Sequence, residues 1–234
     1  YRGPLPDRYP HVVQDANLKL SRQSMERDKV DEALGWLARV VEPGLPKELQ
    51  RSLLQLRLEA LRQQGEVLPA TLRREAEQAV ERFPDDSKML SVLRDLAEAE
   101  GNSDEALQWQ EKIAKHAPPA SIVGERQRYV DALVTAGQRA LVSGDLDRAK
   151  KLSKRLQKAE PDGAAGKLLM GDIHRAKDEH RHAIRLYGST GSPAGLDRIA
   201  ELVGDQPGGI EPRELLANCP MQGGLVLVAR RLAR

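Results

Sequence analysis

The chain is poor in cysteine, in aromatic residues, in net charge and in long apolar runs, and each shortage excludes something. One cysteine, Cys219, among 234 residues leaves no internal disulfide and no cysteine-rich zinc site. It does not choose between a reducing and an oxidising compartment. Aromatic residues make up 3%, so the core must be built from Leu, Val, Ile and Ala, which suits helix packed on helix. The 37 basic and 35 acidic residues leave a net charge of +2. That balance supplies no global drive toward nucleic acid or an anionic membrane. No apolar run approaches the roughly 20 residues that span a bilayer; the longest lies within "GGLVLVARR". Catalytic signatures are also missing: there is no G-x-S-x-G, no H-E-x-x-H and no G-x-x-x-x-G-K-[ST]. The expectation is a protein that is not an enzyme, with no catalytic residue, no cofactor and no metal.

Hydrophobic residues at 40% and charged residues at 31% fit a folded, soluble chain. The apolar spacing is helical throughout, as in Leu54, Leu58 and Leu61, or Leu146, Ala149, Leu152 and Leu156. Clusters such as "EPGLP", "FPDD", "EGNSD", "HAPPA", "SGD" and "EPDG" punctuate it. Helices are predicted at about 13–27, 29–42, 46–63, 68–83, 86–100, 103–116, 122–143, 145–158, 162–177 and 179–189. Ser103 and Asp145 are predicted N-caps, because a side-chain oxygen there can accept a free N–H of the first turn. "SPAGLDRIAELVG" reads as one more helix; a short helix at 211–218 and a last one in "GLVLVARRLAR" follow. The chain begins at Tyr1 and ends without a helix stop, which predicts a piece of a longer protein.

Repetition is the informative signal. Gly137 and Gly171 stand 34 residues apart, as do Ala149 and Ala183, Leu72 and Ala106, and Pro84 and Pro118. With Pro161 closing one unit and Ala33 marking an earlier one, this pattern resembles the tetratricopeptide repeat in a degenerate form. Ser153 and Tyr187 hold the slot where that repeat has phenylalanine, and His174 holds its tyrosine slot. About nine extra residues around "PPASIVGER" separate the third unit from the fourth and should lengthen a helix or loop. The small residues should let paired helices approach closely, with each alanine of the second helix against the glycine of the first.

The resemblance implies an all-α fold, a right-handed α-solenoid of antiparallel helix hairpins. It divides the chain into an extension at 1–12, about five hairpins over 13–190 and a cap or truncated repeat at 191–234. It also implies a non-enzymatic scaffold or adaptor that binds a partner protein or peptide in a concave groove. Similar repeats occur in bacterial envelope-assembly proteins. Carrying the groove positions over gives Arg22, Arg57, Gln64, Asp95, Asp131, Gln138, Asp172 and Arg175. Compartment (cytoplasmic, periplasmic or tethered through a longer chain) and self-association stay open.

Other candidates weigh less. Arg148, Lys150, Lys151, Lys154, Arg155 and Lys158 form a basic run that could bind RNA or another polyanion. Without interleaved aromatics it reads better as a solvated outer face, with Asp147 pairing to Lys151. A recruiting domain of a larger enzyme is the other alternative. His174, His180 and His182 have gaps unlike those of a metal site. Met25, Met89, Met170 and Met221 read as core filler.

Overall fold

A computed structural model describes residues 10–65 and 68–204. The described residues form eleven helices and no strand. These are α1 (Pro10–Glu26), α2 (Val30–Leu37), α3 (Lys47–Gln64), α4 (Pro69–Arg82), α5 (Ser87–Ala99), α6 (Ser103–His116), α7 (Ile122–Val142), α8 (Leu146–Ala159), α9 (Ala165–Ala176), α10 (His180–Gly188) and α11 (Pro193–Gly204). The helices expected at 211–218 and beyond lie outside the described residues, as do Cys219 and Met221. The chain divides into two compact units, 1–125 and 126–234. The division falls where the extra residues were expected, and α7, at 21 residues, is the longest helix.

Short turns fold successive helices back on each other as antiparallel hairpins, and four of these turns are built alike. A residue in the left-handed region precedes the N-cap of the second helix: Asp28 (φ 59°), Gly101 (75°), Gly144 (76°) and Asp178 (60°). The next N–H then bonds the carbonyl five residues back. These bonds are Lys29 to Ser24 at 2.9 Å, Asn102 to Ala97 at 2.8 Å, Asp145 to Ala140 at 2.8 Å and Glu179 to His174 at 2.9 Å. Such a bond satisfies a carbonyl that the end of the first helix leaves free. Four residues on stands an alanine whose N–H bonds the cap carbonyl at 3.0–3.1 Å: Ala33, Ala106, Ala149 and Ala183. Three of them are fully buried and Ala106 nearly so. Leu72 bonds Leu68 in the same way. The positions matched by 34-residue spacing are thus the same structural point of each second helix.

Asp145 caps α8 as expected, accepting from the Arg148 N–H at 2.9 Å. Ser103 does not cap α6; Asn102 does, accepting from the Glu105 N–H. The correction follows from the turn, because Gly101 takes the left-handed position and makes the next residue the cap.

The small residues work differently from the expectation. A methyl added to Gly171 would overlap the ring of Tyr187, and one added to Gly137 would overlap Leu169. The glycines therefore make room for large side chains, not for the alanines. At Ser153 the aromatic slot is polar because α8 and α9 touch there. A methyl on Gly166 would lie 2.9 Å from the Gln157 nitrogen and 3.1 Å from the Ser153 carbonyl. No ring fits, and the buried Ser153 hydroxyl donates to the Gly166 carbonyl at 2.8 Å.

In the first unit α3 lies between two cores. Leu53, Leu56 and Ala60 pack with Leu18, Met25, Ala33 and Leu37, while Leu58 packs with Leu72, Ala76, Phe83, Met89 and Leu93. In the second unit Ala183, Ile184 and Tyr187 pack with Ile199 and Leu202.

Two outcomes follow for stability. Ala149→Arg and Ala183→Arg should each cost about 1–3 kcal/mol or more by overpacking, whereas Lys151→Ala should leave the melting temperature near wild type. Equal melting of all three would contradict the packing. The second concerns Arg73 of α4, which bonds Glu105 and Glu100, each at 2.7 Å. The Arg73 hydrogen bond, helped by the Trp109 N–H, holds the Glu105 carboxyl below its ordinary pKa. Because the folded value is the lower one, this stabilisation is present above the ordinary carboxylate range and fades as pH falls through the folded value. Glu105→Gln should therefore unfold more easily than wild type at neutral pH. The gap should narrow as pH falls below the ordinary Glu range near 4.3, as read by denaturant midpoints.

Candidate functional site

The first helix of each hairpin offers the face on which the eight expected groove residues were placed. In the first unit that face has a cavity of about 220 Å³ between α3 and α5. Leu58, Met89 and Val92 form its buried floor, and Gln55, Glu59, Arg62, Lys88 and Ser91 ring it. The floor comes from the core stripe of each helix and the rim from the residues beside that stripe, so helical periodicity alone places both.

The expected α3 residues are not on this rim. Arg57 turns to α4, where it meets Glu75 at 3.4 Å, and Gln64 reaches Asp31 of α2 at 3.4 Å. The reason is a longer turn. After α3 the left-handed residue is Gly65, seven residues before Leu72, whereas elsewhere it stands five before the alanine. Counting back from Leu72 as in the other hairpins overshoots by two residues. Moving Arg57 and Gln64 by two gives Gln55 and Arg62, both on the rim. A longer gap around Gly65 was the available signal.

The remaining expected residues divide into engaged and open ones. Asp95 of α5 binds Arg62 of α3 at 2.7 Å and Arg94 at 2.6 Å. In the second unit Asp172 of α9 accepts from the Tyr187 hydroxyl at 2.7 Å and from Arg198 of α11 at 2.8 Å. Arg175 reaches Glu201 of α11 at 3.3 Å. Asp131 accepts from Gln127 at 2.9 Å but stays exposed, as do Arg22 and Gln138. Ion pairs therefore cross from one first helix to the next in both units: α3 to α5, and α9 to α11.

No family model matches the chain, and no curated protein does. Solved structures similar to it include a tetratricopeptide repeat protein from Parabacteroides merdae ATCC 43184, at 13% identity over 94% of this chain and 85% of that one, with a TM-score of 0.45. The MamA protein is similar at 12% identity over 81% and 94%, TM-score 0.42. Pseudomonas aeruginosa pilF is similar at 15% over 94% and 92%, TM-score 0.38.

The histidines sit at the turn between α9 and α10. The rings of His174 and His182 stack with centroids 5.4 Å apart, and His174 Nδ1 lies 2.5 Å from Glu179 Oε2. Among the described residues no three His, Cys, Asp or Glu converge in a way that could hold a metal ion. Met89 is fully buried in the core and Met25 nearly so. On α8 the expected pair of Asp147 with Lys151 does not form; Asp147 instead stands in the first turn, where the helix dipole favours an anion.

Tyr187 ties the α9 face to the core. It is fully buried, and burial together with the Asp172 carboxylate pushes its phenol far above the usual range. In a spectrophotometric titration one tyrosine should stay protonated past about pH 11, well above the ordinary value near 10, and that late step should vanish in Tyr187→Phe. The variant should also lose about 1–2 kcal/mol of stability, because Asp172 loses a donor. Titration of every tyrosine near pH 10 would contradict this environment.

Proposed function

We propose that the chain is a non-enzymatic scaffold that holds a partner protein against the first-helix face of its hairpins. The α3–α5 cavity carries this reading. At about 220 Å³ it is smaller than the roughly 300–1,000 Å³ of sites that enclose a small molecule. Its size suits one or two side chains of a larger ligand. The floor of Leu58, Met89 and Val92 would take an apolar anchor. The rim carries both signs, with Glu59 opposite Lys88 and Arg62 beside Asp95, and so favours a polar peptide over a uniform polyanion. Arg22 offers the same class of surface on α1 of that unit, and Asp131 and Gln138 offer it separately on α7. The partner belongs to an assembly, for which a bacterial envelope complex is the setting the repeat resemblance suggests.

A photo-crosslinking amino acid at Ser91 tests this in native cells, with the same group at Lys112 of α6 as comparison. Ser91 should capture a discrete partner that Lys112 does not. A Glu59→Lys, Lys88→Glu double variant should reduce that capture about tenfold or more without changing the melt, a loss of about 1.4 kcal/mol of binding. Equal capture from both positions, or capture indifferent to the double variant, would remove the groove from consideration.

A further inference from the structure

The basic helix α8 differs from the other charged helices in a way that a solvated face does not explain. Its buried side is Ala149, Leu152, Ser153 and Leu156. Opposite them stand Lys150, Lys151, Lys154 and Lys158, all exposed. At about 100° per residue they fall within an arc of about 100°, and at 1.5 Å per residue they span about 12 Å of the axis. None of the four makes an ion pair, hydrogen bond or ring contact. The two arginines of the run are engaged: Arg155 with the Tyr129 hydroxyl at 3.1 Å, and Arg148 elsewhere.

Some lysines elsewhere are neutralised within their helix, as Asp15 does Lys19 at 2.6 Å and Glu111 does Lys115 at 2.9 Å; others without an ion pair, such as Lys47 and Lys88, stand singly on their helices, not in a row. On α8 Lys150 with Lys154, and Lys154 with Lys158, are like-charge neighbours four residues apart, and Asp147, three and four residues before Lys150 and Lys151, pairs with neither. Such like-charge neighbours destabilise a helix. The chain therefore retains a repulsive row where glutamates at two positions would have stabilised it. Charge is also segregated at a larger scale: residues 1–125 carry 18 basic and 22 acidic side chains, residues 126–234 carry 19 and 13.

We propose that the lysine face of α8 is a docking surface for an anionic lipid bilayer. The choice rests on the residue type. Lysine is a compact, strongly hydrated point charge, depleted from protein interfaces, where arginine is enriched. A row of bare lysines with its arginines turned away therefore reads charge density without demanding a fixed ligand geometry. Single-stranded nucleic acid is disfavoured, because its sites add stacking aromatics. The only aromatics of residues 126–204 are Tyr129 and Tyr187, both buried. Long lysine side chains on a narrow arc can all reach one plane, and four near an anionic leaflet give reversible, salt-sensitive attachment.

The test is flotation of the whole chain with vesicles of mixed phosphatidylglycerol and phosphatidylcholine, against vesicles of phosphatidylcholine alone. Wild type should float with the anionic vesicles only, and should be released toward about 1 M salt, where the screening length falls to about 3 Å. K150A/K151A/K154A/K158A should lose about tenfold or more in apparent affinity. K19A/K47A/K112A/K115A, which removes the same charge from the first unit, should bind as wild type does. Circular dichroism confirms that both variants fold, which alanine favours in a helix. Binding to neutral vesicles, equal loss in both variants, or no binding at low salt would overturn the proposal. So would displacement by duplex or single-stranded RNA at a lower charge concentration than free anionic vesicles, which would give the face to nucleic acid.

Discussion

The turn inside each hairpin is the constraint from which the other features are counted. One residue must enter the left-handed region so that the next N–H can reach the carbonyl five residues back. Glycine does this without a Cβ clash at Gly101 and Gly144. Asp28 and Asp178 do it with one of the few side chains that tolerates the region. Once the turn is fixed, the second helix begins at a set phase relative to the first. In four hairpins the residue four past the cap is a buried alanine. A methyl is tolerated there and an arginine is not, because the phase is set by backbone bonds that the side chain cannot move.

That dependence explains how much of the molecule could be read from the sequence. The helices, the Asp145 cap and the equivalence of Ala33, Leu72, Ala106, Ala149 and Ala183 follow from local rules of periodicity and capping. The departures arise at the turns and at the close approaches between helices. Ser103 lost the cap to Asn102 because the left-handed residue was Gly101. Arg57 and Gln64 lie two residues from the α3–α5 rim positions Gln55 and Arg62 because the turn after α3 is longer than the others. The partners of Gly137 and Gly171 were misassigned because a missing side chain shows only that something comes close. It does not show whether the approaching group is a methyl, a leucine or a phenol ring.

The polar seam between first helices bears on how the proposed groove could work. Arg62 with Asp95, and Asp172 and Arg175 with α11, hold rim side chains in defined positions while no partner is bound. Surface pairs of this kind contribute only about 0–1 kcal/mol. A partner that offers its own carboxylate or ammonium can exchange with them at little cost and meets side chains already oriented. Asp172 is the exception. The buried Tyr187 hydroxyl and Arg198 both bind it, so releasing it would disturb the core of that hairpin.

The two kinds of cation in the chain are used differently. Several arginines lie along the seams between helices, where a planar fork can hold a carboxylate in one geometry: Arg62 on Asp95, Arg73 on Glu100 and Glu105, Arg198 on Asp172. The four lysines of α8 lie on a face with no such partner. If net charge alone mattered, either residue would serve in either place. The division suits two kinds of recognition. A groove edged with arginine pairs selects by direction, and a lysine face selects by charge density. The second tolerates weak contacts because it adds many of them, which is why it can be built on a single outer helix without a cavity.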